Sequence, residues 1–171
     1  MVAVSRKAKP AVRESRGSWS EPGTTWLLDV NVLLALLDPI HPQHAVAHVW
    51  FATARVSWAS CNLTQNGALR IMSHPRYANA VASTAQAAEL LLELCHQSGH
   101  VFWPADLSLL DSPLVDRDRL LQSGQVTDSY LLALAVKHNA RLATFDKRLV
   151  TNAVHGGAAA KYVIGAASGE E

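Results

Sequence analysis

Cysteine is scarce in this chain of 171 residues: Cys61 and Cys95 are the full complement, and no CxxC pair occurs. A disulfide framework is thereby excluded, and two thiols set in apolar stretches fit a reducing compartment. Long apolar runs are missing too. No window reaches the roughly 18 uncharged apolar residues that a spanning helix needs. The N-terminus lacks the apolar centre of a secretory signal, so a cytoplasmic protein without membrane contact is expected. Charge is thin, at 17% Asp, Glu, Lys and Arg, which is low for a soluble surface and points to apolar surface kept for a partner. Nor does one sign dominate, since the formal net charge is +1. That balance is uneven along the chain. Residues 1–16 carry five bases against Glu14 alone, whereas ten acids offset ten bases between Pro22 and Val163. A nucleic-acid binder built on a broad positive face is not indicated for the globular part.

What the chain has in quantity is apolar residues, 49% of the total, enough for one ordinary domain with a sizeable core. Residues 1–23, punctuated by Pro10, Gly17, Pro22 and Gly23, show no periodicity and read as a flexible basic arm. Residues 24–165 read as the folded domain and 166–171 as a disordered tail. Within the domain, short apolar runs alternate with helical stretches. Strands are expected at Trp26–Leu28, Val56–Ala59, Val101–Trp103, Arg141–Thr144 and Tyr162–Ile164. Helices are expected at Val30–Leu37, at His44–Thr53, and from Asn62 or Thr64 to about Ser73. Three more are expected after a Ser83-Thr84 cap as far as Gly99, at Leu114–Leu121, and at Asp128–His138 behind a Thr127 cap. The alternation implies a three-layer α/β/α sandwich on a mostly parallel sheet.

In such a sheet, functional groups gather beyond the carboxyl ends of the strands. Asp29 directly follows TWLL, Asp146 follows RLATF, and Asp128 opens a helix. Asp128 in a first turn also favours the helix dipole, which is sufficient reason for one acid but not for three. Three carboxylates brought together repel one another unless a cation neutralises them. Oxygen-only donors suit a hard ion, Mg²⁺ or Mn²⁺. Arg70, Lys147 and Arg148 are candidate bases near these acids. His41, His44 and His48 share one side of a helix, but no acid or thiol accompanies them, so helix-surface contacts are expected there rather than zinc. Trp26, Trp58 and Trp103 fall in buried strands and read as core rather than as stacking platforms. The run Tyr130–Val136 is apolar throughout, fitting either the core or a dimer seam.

The stretches LLDVNVLLALLD, NLTQNGALRIMSHP and VTDSYLLALAVKHNARLATFD together resemble the PIN domain, and more closely the VapC-type ribonuclease toxins of bacterial toxin–antitoxin pairs. The resemblance runs from about Thr25 to Val163. It implies an α/β sandwich, an endoribonuclease site in which acids hold Mg²⁺, a homodimer and a small antitoxin partner. Carried onto this chain, Asp29, Asp128 and Asp146 become the catalytic metal ligands. Asn31 becomes the asparagine that orients the first loop, and Thr144 a hydrogen-bonding or water-positioning group. The remaining family acid falls at Gln65, whose neutral carbonyl can orient a water or bind Mg²⁺ weakly but cannot act as a base. Two other readings stand beside the nuclease. One is a non-catalytic PIN-like RNA-binding module, for which Gln65 speaks. The other is a phosphoryl-receiver-like domain, which calls for two adjacent early acids and a late-strand Lys that are not evident here.

Overall fold

The computed structural model describes residues 24–53 and 57–165; the expected arm (1–23) and tail (166–171) lie outside them. Thr25–Leu28 (β1), Ser57–Cys61 (β2), His100–Trp103 (β3), Arg141–Thr144 (β4) and Lys161–Val163 (β5) form one sheet. Its order is β3-β2-β1-β4-β5, and every neighbouring pair is parallel. The first strand lies in the middle because TWLL has no polar face to give to solvent. Trp26 and Leu28 bury into one core, and Leu27 into the other.

Four helices cover the Trp26 face: Val30–Leu37 (α1), His44–Thr53 (α2), Asn62–Met72 (α3) and Thr84–Cys95 (α4). Val126–Lys137 (α5) and Gly157–Ala160 (α6) cover the Leu27 face. This is the expected sandwich. The aromatic residues do pack inside it. Trp26 meets Trp50 edge-on at 5.7 Å, and the Arg141 guanidinium sits over the Trp26 ring at 5.4 Å. On α5, Ser129 through Ala135 are all buried within the chain itself. That run packs in the core of the chain itself.

Three stretches depart from the sequence reading. Leu114–Leu121 is not an α-helix. Val115 instead bridges Val154, and only Arg117–Arg119 makes a short 3₁₀ turn. Asp116 N–H donates to the Ala153 carbonyl and His155 N–H to that of Leu114, so long-range pairing displaces the weak local preference of a segment opening behind Pro113. Helix α5 begins one residue before Thr127, fed by a 3₁₀ turn at Ser123–Gln125, so Thr127 is inside the helix rather than its cap. Helix α4 stops at Cys95, short of Gly99, whose φ of 89° turns the chain into β3. The Ser83 cap holds as expected, with its hydroxyl accepting from Gln86 N–H.

The three histidines of the first loop and α2 each have a backbone partner. His44 Nδ1 lies 2.8 Å from the Ala35 carbonyl and His48 Nε2 3.0 Å from that of Leu36. His41 Nδ1 accepts from Gln43 N–H. His44 and His48 tie α2 to the carbonyl end of α1, and His41 closes the turn that leads into α2.

Close helix packing at one point shapes everything near Asp29. A Cβ built on Gly67 of α3 would lie 2.7 Å from Val30 Cγ2, in the residue right after Asp29. Valine is stiff at χ1 and cannot swing clear. Gly67→Ala is therefore expected to cost about 1–3 kcal/mol by overpacking. Thermal denaturation of Gly67→Ala and of Gly67→Ala/Val30→Ala checks this: the second change should restore part of the loss, and no restoration would mean the close approach is not the cause.

Candidate active site

The chain leaves β1 toward β2 and β3 on one side and returns to pair β4 on the other. The carboxyl ends of β1 and β4 thus flank the switch point where open parallel sheets place their ligands. Asp29 stands on the end of β1 and is 8% exposed. It is also the N-cap of α1, its Oδ1 accepting from Val30 N–H. Its backbone N–H donates to the Ala143 carbonyl of β4, which fixes the loop against the neighbouring strand.

Thr144, fully buried at the end of β4, joins two of the acids. Its hydroxyl donates to Asp29 Oδ2 at 2.8 Å and accepts from Asp146 N–H at 3.0 Å. Asp146 Oδ1 in turn accepts from Arg148 N–H, closing an Asx turn that holds the acid just past the strand. Asp128 enters from the first turn of α5, half-buried.

The electrostatics bind the three together. Burial pushes the Asp29 carboxyl above its ordinary range, against the lowering by Thr144 and Val30 N–H, and the Asp146 charge adds to the rise. Burial likewise raises Asp128, with further upward pushes from Asp29 and then Asp146. Each acid therefore stands within reach of the others' fields. Among the described residues, no three His, Cys, Asp or Glu side chains already converge on an ion-sized point.

A cleft of about 520 Å³ opens beside Asp29 and Asp128, which line it together with Asn31, Leu63, Asn66, Gly67 and Arg70 among others, while Asp146 is not among the lining residues. Two expectations change here. Asn31 is exposed on the cleft wall, and the bonds that orient the Asp29 carboxylate come from Val30 N–H and Thr144 instead. Gln65 is not among the lining residues. Its amide donates to Ser60 Oγ at 2.9 Å and lies 3.9 Å from Cys95 Sγ, on the β2 and α4 side of α3. The α3 side chain facing the acids is Asn66, which the motif reading passed over although it stands in the same TQNG string. Of the candidate bases, Arg70 lines the cleft, while Lys147 and Arg148 are exposed beside Asp146.

Gln65→Glu should accordingly shift the melting temperature equally in chelator and in Mg²⁺. A lower value in chelator together with a larger rise on adding Mg²⁺ would return position 65 to the acid cluster.

A parallel α/β sandwich with three aspartates at its switch point defines an acid-site domain suited to hard cations. Residues 26–154 match the PIN domain. The chain is 50% identical over 132 residues to Ribonuclease VapC44 of Mycobacterium tuberculosis, covering 76% of this chain and 92% of that protein. It is 39% identical over 133 residues to Ribonuclease VapC39 of the same organism, covering 77% and 96%. Ribonuclease VapC38 is also 39% identical, over 126 residues covering 73% of this chain and 87% of that protein. The chain belongs to the PIN-domain family, on its VapC branch.

Proposed function

We propose that the protein is a divalent-metal-dependent endoribonuclease, the toxin of a toxin–antitoxin pair, which hydrolyses RNA phosphodiester bonds at Asp29, Asp128 and Asp146. The observation that carries this reading is the Thr144 bridge. One buried hydroxyl ties the Asp29 carboxylate to the Asp146 backbone across β1 and β4, at a point where Asp128 also feels both charges. Mutually repelling charges so placed are relieved by a neutralising cation.

The donor set fits Mg²⁺ or Mn²⁺: the three aspartates offer oxygen alone, and Mg²⁺ usually keeps several waters while bound through one or two carboxylates. Asp29, Asp128 and Asp146 would hold it. Such an ion, when bound, supplies Lewis-acid polarisation of the phosphate and a more acidic water.

The chain's own residues divide the remaining work. Thr144 fixes the Asp29 rotamer and leaves that carboxylate further lone pairs for the cleft. Asp128 and Asp146, less constrained, can accept a proton from the attacking water. Asn66 and Asn31 offer amide hydrogen bonds to ribose and phosphate along the wall. Arg70 brings positive charge to a site whose acids would otherwise repel RNA.

A small antitoxin and a second copy of the chain are the proposed protein partners. Exposed Ile40, Val49 and Leu92, at 75%, 65% and 55%, are apolar surface for them. No helix among the described residues is long and apolar enough to cross a membrane. Incubating single-stranded RNA with the full chain tests the activity. Cleavage is expected in Mg²⁺ or Mn²⁺ and not in chelator; intact RNA under both conditions would favour the non-catalytic RNA-binding alternative.

A further inference from the structure

The acid cleft does not end at α3. Arg70 lines it, and Arg70 also lines two further depressions, of about 500 Å³ and about 430 Å³, that follow the α3–α4 connection. Asn66, Arg70 and His74 lie four residues apart, and so they repeat along one side of the helix and its end about every 6 Å. Beyond them the groove is lined by Arg76 and Tyr77. Arg70 and Arg76 are exposed, and neither forms an ion pair among the described residues.

Tyr77 is held unusually firmly for a residue in a connecting segment. Its phenol donates to Asp38 Oδ2 at 2.7 Å, while Asn79 donates to Asp38 Oδ1 at 2.6 Å. Its backbone N–H closes a turn onto the His74 carbonyl, and the His74 ring accepts from Arg76 N–H. The Tyr77 ring is therefore preorganised, which lowers the entropic cost of binding to it, and the exposed Arg70 and Arg76 side chains flank it along the groove.

We infer that this groove is the track for the RNA strand flanking the scissile phosphate, with Arg70 and Arg76 on successive phosphates and the Tyr77 ring stacking one base. The inference rests on the ribonuclease reading above. Charge complementarity chooses the occupant. Cations spaced along a groove that runs out of a metal-binding acid site match a polyanion whose reacting phosphate sits at that site. The half-exposed ring beside them matches an unpaired base, the element by which single-stranded RNA is held.

Two measurements on the full chain test it: anisotropy of a labelled 12-nucleotide single-stranded RNA in chelator across a salt series, and steady-state cleavage of the same RNA in Mg²⁺. Arg70→Ala/Arg76→Ala should weaken binding about tenfold at low salt and flatten the salt slope by about 1.4, two phosphate contacts' worth. KM should rise with kcat little changed. Tyr77→Ala should weaken binding at least about fivefold, the low end for losing one base–aromatic stack, while Tyr77→Phe, which keeps the ring but loses its bond to Asp38, should weaken binding less than Tyr77→Ala. The arginine pair is exposed, so its result does not depend on how well the Tyr77 variants fold. Cleavage with KM and salt slope unchanged in the arginine variant overturns the track and leaves the nuclease standing. A wild-type chain that neither binds nor cleaves RNA removes both. If the arginine variant instead loses binding to a polyglutamate peptide while RNA binding is intact, the groove belongs to an acidic protein and the RNA assignment falls.

Discussion

Asp29→Asn and Asp128→Asn are each expected to lower RNA cleavage by about 10²–10³-fold, the several kcal/mol that a correctly held ion contributes to a phosphoryl transition state. Without metal, each is expected to raise the melting temperature at neutral pH. The opposite directions are the signature of a functional charge cluster. Burial and neighbouring acids raise both carboxyls in the folded protein above their value of 3.8 in the unfolded chain. The folded state thus binds more protons than the unfolded state between those two values, and its stability falls as pH rises through that window. The penalty is absent below about pH 3.8 and complete above the raised values, so the gain from Asn should vanish in acid. Asn at position 29 still caps α1 but keeps only one acceptor oxygen for Val30 N–H and the Thr144 hydroxyl, so part of its gain is offset, and Asp128→Asn is the cleaner test of the charge effect. Asp29→Ala, which loses both bonds, should be destabilised instead. Unfolding of Asp29→Asn at neutral pH would assign that residue to the scaffold and undo the metal site.

Asp38→Ala has the largest expected effect on stability and the reverse dependence on pH. The Asp38 carboxylate is 6% exposed and accepts from Tyr77, Asn79 and Ile40 N–H. Burial works to raise its pKa, but the three donors, helped by His41, outweigh it and hold the group below 3.8. Burial and the same bond push Tyr77 up to about 12. Removing the acceptor leaves three donors without their partner, for a loss of roughly 2–4 kcal/mol, or roughly 4–16 °C in melting temperature. A group held below its unfolded value stabilises the fold above about pH 3.8, and that contribution is lost as pH falls through the folded-state value. The gap between wild type and Asp38→Ala should therefore be wide at pH 7 and close in strong acid. Melting curves at both pH values check it, and a gap independent of pH would mean that the alanine costs packing rather than a charged hydrogen-bond network.

The three aspartates were legible because each sits at a boundary that the sequence marks, two after apolar strands and one in the first turn of a helix. Their assembly follows from parallel topology alone. Which α3 side chain joins them was not legible. Successive residues on a helix point about 100° apart, so a motif that aligns Gln65 says little about whether it or Asn66 faces the cleft. The structure gives that wall to Asn66. The helix frame is set from its start, where Cys61 is the N-cap and Thr64 Oγ1 accepts from Cys61 N–H. Asp38 was visible only as a helix stop before Pro39. Its partners lie 39 and 41 residues further on, beyond any local pattern. Leu114–Leu121 failed for the same reason, since the bonds of Leu114 and Asp116 to residues near Val154 leave only a short 3₁₀ turn at Arg117–Arg119.

The Thr144–Asp29 bond spans 115 residues of sequence. Closing a loop of that length costs roughly 4 kcal/mol in chain entropy, which only the completed sheet returns. Strand β1 leaves the ribosome well before its partner β4, so the three aspartates come together only after β4 has emerged. A chain still being translated holds Asp29 without Thr144 or Asp146. A nuclease assembled in this order cannot cut the message from which it is being made until the ribosome has read past β4.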